Sequence, residues 1–400
     1  MKVLQINIFG NLSTGRIAVD IYRTLKESGH EGKVAFARNT IADDVPYIRI
    51  GNQLDVYVDG IMTRLTDRAG FFSAKPTKKL IQEIKAYEPD IIHLHNLHGY
   101  YIHVGELFEF LKEYNKPVVW TLHDCWSYTG HCCYYSMAKC DRWKTGCHNC
   151  PQKWAYPGSL LLDNSRGNYK IKKELFTSLD KLHLVTVSDW LQGEVKKSFL
   201  KELPCTTIYN GIDLNVFKPT KSNIRKQYQI GDRYIVLGVA STWDVRKRLK
   251  DFISLSTMLG DEYKVVVVGV NDKEKKQLPS NMIGISRTDS VQELAGIYTQ
   301  ADVFFNASVE ETFGLPTVEA LACETPVVVY DATAVPEVVD DSVGYVVREG
   351  DLRAVKEKIK EIVKKRAIDK KACRKKAEVY EKNAQYKNYI RLYESLYQKD

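Results

Sequence analysis

Two glutamates separated by seven residues mark the segment with the clearest potential for chemistry. The segment Ser308–Cys323 follows a predicted strand and opens a predicted helix, with Glu311 before the turn and Glu319 inside the helix. Pro316 stands where a helix can begin without losing a needed donor. The free N–H groups and the dipole of such a helix start attract anions. A diphosphate therefore fits the turn, Glu319 can accept hydrogen bonds from ribose hydroxyls, and Glu311 can hold sugar hydroxyls.

Exposed acids on an ordinary strand–loop–helix would show the same pair of glutamates. The complete string Glu-x-Phe-Gly-Leu-Pro-x-x-Glu-Ala over residues 311–320 is much rarer by chance. It therefore favours a binding site over a solvated surface.

A basic pair and a histidine are further candidates. Lys247 follows the predicted strand Tyr234–Ala240 and can serve as a point charge for a phosphate, while Arg246 can add a forked contact. A solvated helix start would account for the same basic run. His123 ends a predicted strand, and a neutral imidazole there can donate a hydrogen bond to a sugar hydroxyl without adding charge; a buried structural histidine is the alternative.

Together these motifs resemble glycosyltransferase family 4. The resemblance implies a GT-B fold, a nucleotide-sugar donor, retention at the anomeric carbon and no obligatory catalytic metal. The family usually has a Gly-Arg pair a few residues before the lysine, and this chain has Ser241-Thr242 there. We therefore expect Arg246 to take the place of the family's arginine at the donor diphosphate. Further segments that carry the resemblance are Asp90–Asn96, Thr121–Asp124, Val187-Ser188, Asn210–Asp213, Phe217 and Pro219.

The resemblance also implies roles for individual residues. The catalytic group is expected to comprise Glu311, His123 and Lys247. The residues expected to bind the donor are Gly15, Arg16, Arg246, Lys247, Thr312, Phe313, Gly314, Leu315 and Glu319. For Gly15 and Arg16 a plain strand–helix turn is the alternative. Acceptor-side or structural roles are expected for His95, Asn96 and His98.

Six cysteines fall within 26 residues, from Cys125 to Cys150. Cys147 and Cys150 have the two-residue spacing of zinc knuckles, and Cys132 or Cys133 with Cys140 could complete a four-thiolate site. The expected ligands of a structural zinc are Cys132, Cys140, Cys147 and Cys150, with His131 and His148 as further candidates. Zinc would pin an insertion too irregular to build its own core. Reduced cysteines packed in a loop, or disulfides in an exported relative, are the alternatives.

Alternating strand and helix patterns place the chain in the α/β class, with two Rossmann-like doubly wound domains, an interdomain cleft and a C-terminal helix that packs back on the N-terminal lobe. The predicted N-terminal, acceptor-side domain covers residues 1–208 with a Cys-rich insertion at 125–157, together with a helix at about 380–400. The predicted donor domain covers residues 209–379. Residues 214–232 are predicted to be an irregular linker, and residues 372–398 a single charged helix.

The 400-residue chain carries a formal charge of +8, with 44% hydrophobic and 27% charged residues. The charge suits nucleoside diphosphates, lipid diphosphates or an anionic membrane surface. It does not form the basic, aromatic-interleaved helix that reads nucleic acid. The sequence shows neither a signal peptide nor an apolar run long enough to span a membrane, so a cytoplasmic location is expected, with peripheral contact at the inner face of the plasma membrane.

The function predicted from the sequence is retaining sugar transfer from a UDP- or GDP-linked donor to a glycan or polyprenyl-diphosphate-linked acceptor in cell-surface polysaccharide synthesis. The resemblance implies that catalysis requires no cofactor. A non-hydrolysing nucleotide-sugar epimerase and a non-catalytic nucleotide- or sugar-binding subunit are the alternatives.

Overall fold

The computed structural model describes residues 1–399, which form two compact units. One unit comprises Met1–Tyr209 and the chain from Asn383 onward, and the other comprises Asn210–Lys382. Each is built on one parallel sheet, which confirms the predicted fold class. No helix in the described part of the chain is long and apolar enough to cross a membrane.

The N-terminal unit contains a seven-stranded sheet in the order β3-β2-β1-β4-β5-β6-β7. Its elements, in chain order, are β1 (Lys2–Phe9), α1 (Thr14–Glu27), β2 (Glu31–Arg38), β3 (Tyr47–Arg49), α2 (Gln53–Thr66), α3 (Ala74–Tyr87), β4 (Ile91–Leu94), α4 (Val104–Tyr114), β5 (Val118–Leu122), α5 (Ser165–Phe176), β6 (Leu182–Thr186), α6 (Asp189–Val195) and β7 (Cys205–Thr207).

The C-terminal unit contains a six-stranded sheet in the order β10-β9-β8-β11-β12-β13. Its elements are α7 (Ile224–Gln227), β8 (Tyr234–Val239), α8 (Leu249–Met258), β9 (Tyr263–Val268), α9 (Asp272–Lys275), β10 (Met282–Ile285), α10 (Val291–Gln300), β11 (Val303–Asn306), α11 (Leu315–Ala322), β12 (Val327–Tyr330), β13 (Gly344–Val347), α12 (Leu352–Lys365) and α13 (Lys370–Glu378). Residues 214–232 were predicted to be an irregular linker, but they contain the short helix α7. The Arg225 guanidinium of this helix donates to Asp302.

The single C-terminal helix predicted for residues 372–398 is wrong, because the chain forms α13 and then α14 (Lys382–Tyr397). The break between them lies where the chain leaves the C-terminal unit and returns to the N-terminal one. As expected, α14 packs on the N-terminal sheet, where Tyr386, Tyr389 and Tyr393 join the core formed by β1 and α1. A charged, periodic stretch does not reveal that its two halves belong to different cores.

The Cys-rich insertion between β5 and α5 has little regular structure beyond two 3-10 turns at Trp126–Tyr128 and Arg142–Lys144. It nevertheless forms its own small aromatic cluster, contrary to the sequence expectation. The Trp143 ring lies 4.7 Å from that of Tyr135 and 5.2 Å from that of Tyr128, measured between centroids. All three rings are buried, so aromatic packing supplies part of the core that regular structure does not.

Candidate functional site

The glutamate motif of the C-terminal unit forms a sharp loop from β11 into α11. Gly314 is the residue before the helix and has φ +89°, a left-handed conformation that favours glycine. Pro316 lies in the first turn, and no side chain in residues 1–399 caps this helix start. The Asn306 amide donates to Thr317 Oγ1 at 2.9 Å and fixes the loop to the end of β11. The helix therefore begins where the sequence predicts it, and binding of an anion at this start stays a prediction.

Glu311 and Lys247 form a direct ion pair within this unit. Their side chains are 16% and 17% exposed, so the contact is largely shielded from water. The Glu311 backbone N–H donates to Thr333 Oγ1 at 3.0 Å, which fixes the glutamate on its loop. The structure thus brings together two residues that the sequence analysis assigned separately to the sugar and to the diphosphate.

Glu319 lies one turn into α11 and is half-buried. The buried Tyr298 hydroxyl donates to Glu319 Oε2 at 2.9 Å and orients the carboxylate. Before the helix, Thr312 and Phe313 are buried, and the Phe313 ring packs edge-on against Tyr380 at 5.5 Å. Leu315, the first residue of α11, is partly buried. Phe313 therefore anchors the loop through packing, while Glu319 keeps part of its surface accessible.

Arg246, the predicted substitute for the family arginine, holds a bidentate contact with Asp244. Its Nε and Nη2 donate to Asp244 Oδ2 at 3.1 and 2.6 Å.

Glu310, the residue before Glu311, is buried, with 3% of its surface exposed. The sequence gives no sign of this burial, because Glu310 stands next to Glu311 in the same acidic pair.

A chain of buried histidines lies where β4 and β5 of the N-terminal unit end. The Gln5 amide nitrogen donates to the Ala18 carbonyl at 2.8 Å, so its oxygen accepts from His95 Nε2 at 3.0 Å. His95 Nδ1 then carries the lone pair and accepts from His123 Nε2 at 3.0 Å. This tautomer leaves the acceptor lone pair on His123 Nδ1. The expectation that His123 donates to a sugar hydroxyl is therefore replaced by one in which it accepts.

A second branch ties the histidines to α14. His93 Nε2 lies 2.8 Å from Thr121 Oγ1, and its Nδ1 lies 2.7 Å from the Tyr393 hydroxyl. Sequence reasoning missed Gln5, His93 and Tyr393 as members of this network. The available signal was a polar residue inside an otherwise apolar strand, as for Gln5 in Val-Leu-Gln-Ile.

Burial keeps these imidazoles neutral. Desolvation lowers the pKa of His123 to about 4 and lowers the pKa values of His93 and His95 well below their ordinary value of 6.5. Each neutral imidazole has one donor nitrogen and one acceptor nitrogen, which matches the observed series of hydrogen bonds.

His98 and Asp124 form a separate buried pair beside the histidine chain. His98 Nε2 lies 2.6 Å from Asp124 Oδ2, and Cys133 Sγ lies 3.9 Å from the same nitrogen. The Trp126 backbone N–H donates to the other Asp124 oxygen at 2.9 Å. Burial alone would raise the pKa of Asp124, but the charge of His98 and these hydrogen bonds lower it.

Asn96, the other residue expected on the acceptor side, is half-buried, and its backbone carbonyl accepts a hydrogen bond from the Tyr101 hydroxyl at 2.7 Å.

Gly15 and Arg16 lie at the start of α1, where Gly15 has a structural reason for its small size. A Cβ on Gly15 would lie 2.6 Å from the Phe9 carbonyl oxygen. Arg16 is exposed on the first turn of the helix. The tight packing explains Gly15 as a strand–helix turn, and an anion contact by Arg16 stays a prediction.

Two family models together match most of the chain. The model described as "Glycosyltransferase Family 4" matches residues 14–216, and the one described as "Glycosyl transferases group 1" matches residues 220–385.

Curated relatives share about a quarter of their residues with this chain. A putative colanic acid biosynthesis glycosyl transferase, WcaC of Escherichia coli, is 26% identical over 66% of this chain and 65% of its own length. The O-antigen chain mannosyltransferase RfbU of Salmonella typhimurium is 25% identical over 41% of this chain and 46% of its own. The chain thus spans between about half and two thirds of the length of these relatives.

Solved structures show the same fold. Sucrose-phosphate synthase from Thermosynechococcus elongatus matches with a TM-score of 0.73 and 16% identity over all of both chains. Anabaena HepE in complex with UDP matches with a TM-score of 0.70 and 14% identity over 99% of this chain and all of its own. At such identities the likeness establishes the GT-B fold.

We predict that the N-terminal unit loses stability as the pH falls from 6.5 towards 4. The unfolded chain takes up protons on its histidines over this range, whereas folded His123 stays neutral until about pH 4. Linkage gives a loss of about 2 kcal/mol for this group between pH 7 and 5. Urea unfolding followed by tryptophan fluorescence measures it, because five of the six tryptophans lie in this unit.

The His123→Gln variant should show a shallower pH dependence than the wild type. His30→Gln, a change at a surface pair with Glu394, should keep the wild-type slope. Equal slopes in all three proteins would contradict a neutral His123 in the folded state.

Proposed function

Because the chain belongs to glycosyltransferase family 4, we propose that it transfers a sugar from a nucleoside diphosphate sugar to a growing cell-surface glycan, with retention at the anomeric carbon. The observation that carries the proposal is the ion pair of Lys247 and Glu311 beside the start of α11, with Glu319 one turn further on. The names of the relatives that act in O-antigen and colanic acid synthesis support the class of product.

The donor diphosphate is proposed to bind at the α11 start. The backbone N–H groups and the helix dipole face the negative charge there, and Lys247 adds a point charge. Glu319, already oriented by Tyr298, accepts from the ribose hydroxyls. The Anabaena complexes with UDP and UDP-glucose support a nucleotide-sugar donor in this fold.

Retention requires that the new bond form on the face from which the diphosphate leaves. In the proposed step, the bond between the anomeric carbon and the diphosphate oxygen breaks through an oxocarbenium-like state, and the acceptor oxygen bonds to that carbon. The acceptor proton passes to the leaving diphosphate. Lys247 and the helix start offset the phosphate charge as it grows, and Glu311 holds sugar hydroxyls.

His123 of the N-terminal unit is proposed to accept a hydrogen bond from a sugar hydroxyl through Nδ1. Its Nε2 is committed to His95, and its neutral state avoids a positive charge beside a developing oxocarbenium ion.

The acceptor is proposed to be lipid-linked, and helix α2 supports this. Its buried positions are the polar Asp59 and Thr63, whereas its large apolar side chains face water. The exposed apolar residues of α2 are Leu54, Tyr57, Val58, Ile61, Met62 and Leu65. Such an inverted helix places a hydrophobic face where a membrane can cover it.

Three arginines lie beside that face. Arg38, Arg49 and Arg64 line a cavity of about 360 Å³ together with Tyr57 and Ile61 of α2. Guanidinium groups bind phosphates through paired hydrogen bonds. Arginines next to an apolar face match the chemistry of a polyprenyl diphosphate, in which a charged head joins an apolar chain.

The transfer proposal is tested by incubating the protein with a polyprenyl-diphosphate-linked glycan as acceptor and a panel of UDP- and GDP-sugars, and following donor consumption. We expect hydrolysis or transfer of one donor, with Glu311→Gln lowering kcat by about 100-fold, the scale of one well-placed electrostatic contact. Glu361→Gln is the matched control, because Glu361 is also half-buried and paired with a lysine, Lys358. Epimer formation, or binding without turnover in the wild type, would contradict sugar transfer.

The acceptor proposal predicts binding to vesicles that contain an anionic phospholipid. Ile61→Glu buries a charge in the apolar layer and should weaken co-sedimentation by about tenfold or more. Val291→Glu, at an exposed valine of the C-terminal unit, should bind as the wild type does. Loss of binding in both variants, or a wild type that ignores vesicles and forms dimers through α2, would overturn the membrane assignment.

A further inference from the structure

The Cys-rich insertion of the N-terminal unit gathers four thiols around one small cavity. Cys132, Cys140, Cys147 and Cys150 all line a cavity of about 20 Å³, with His131 and His148 beside them. All four are free thiols. The fold of the insertion places these thiols, which are spread over residues 132–150, around the same cavity.

We propose that these four cysteines bind a structural zinc ion. Four thiolates in tetrahedral arrangement form a closed zinc site, and the two-residue spacing of Cys147 and Cys150 is that of a zinc knuckle. The proposal is independent of sugar transfer, because the site would have no open coordination position for a substrate.

A backbone hydrogen bond to sulfur supports the assignment. The Gly130 N–H donates to Cys147 Sγ at 3.2 Å. A Cβ on Gly130 would lie 2.7 Å from the Cys147 Cβ, so glycine permits this close approach. Such donors stabilise thiolates, the form in which cysteine binds a metal.

The loop that joins Cys147 to Cys150 is held from outside. The Arg142 guanidinium donates to the carbonyl oxygens of both intervening residues, His148 and Asn149. His131 forms a buried pair with Asp67 at the end of α2, which attaches the other side of the cavity to the sheet-bearing part of the unit. The two knuckle sulfurs are therefore presented on a loop of defined shape.

Another cluster has ligand atoms that lie closer together. Among residues 1–399, the ligand atoms of His98, Asp124 and Cys133 lie within 4.8 Å of one another, whereas the four cysteines are spread more widely around their cavity. The 2.6 Å separation of His98 Nε2 and Asp124 Oδ2 is that of a hydrogen bond. That nitrogen carries the shared proton, so the three groups are explained without a metal.

The test is the zinc content of the full-length protein purified under reducing conditions. We expect about one zinc ion per chain, falling to about a tenth or less in Cys147→Ser and in Cys150→Ser. Cys205→Ser is the matched control, since Cys205 is a half-buried free thiol of the same unit, and Cys133→Ser tests the rival cluster. Both should keep the metal.

A second measurement does not depend on the folding of any variant. Cobalt(II) exchanged into the wild type should give the intense sulfur-to-cobalt charge-transfer bands of a tetrahedral thiolate site. Protein that carries no zinc and gives no such bands would overturn the proposal, as would disulfides among the four cysteines. Loss of zinc in Cys133→Ser but not in Cys147→Ser would also overturn it.

Discussion

The ion pair between Lys247 and Glu311 joins two loops of the C-terminal unit that lie 64 residues apart in the chain. Each side chain is mostly shielded from water, so each would carry an uncompensated charge without the other. A bound diphosphate sugar would offer both a new partner, with phosphate for the lysine and hydroxyls for the glutamate. In the proposed function, the pair would keep both charges compensated until a donor replaces the protein contacts.

The N-terminal unit contains polar groups that are buried in its core and need hydrogen-bond partners there. Gln5, His95 and His123 form a linear series of hydrogen bonds. In the second branch of the network, Tyr393 of α14 is hydrogen-bonded to His93. Because each imidazole is neutral, the chain of donors and acceptors has one direction. That direction decides which nitrogen of His123 carries the lone pair, and so what the histidine can offer a sugar.

Sequence patterns predicted most of the fold because buried parallel strands read as short apolar runs. The short strands β3, β10 and β13 were not predicted, since three or four residues give little periodicity to detect. Motif spacing placed Glu311 and Gly314 on the observed turn and Glu319 in the helix that follows it. It could not show that Glu310 is buried, that Asp244 engages Arg246, or that Lys247 meets Glu311. The pair of Lys247 and Glu311 depends on a contact between segments that lie 64 residues apart in the sequence, whereas the contact of Arg246 with Asp244 is local and depends on the shape of its loop.

The most direct measurement is a double-mutant cycle on the affinity for the bare nucleoside diphosphate, using Lys247→Ala, Glu311→Gln and the double variant in calorimetric titrations. If the ion pair holds the lysine that binds the diphosphate, Glu311→Gln frees the lysine and should raise the affinity, and this gain should vanish once Lys247 is removed. Independent sites would instead add to within about 0.5 kcal/mol. Additive effects, or full nucleotide affinity in Lys247→Ala, would contradict the role of this pair in the donor site.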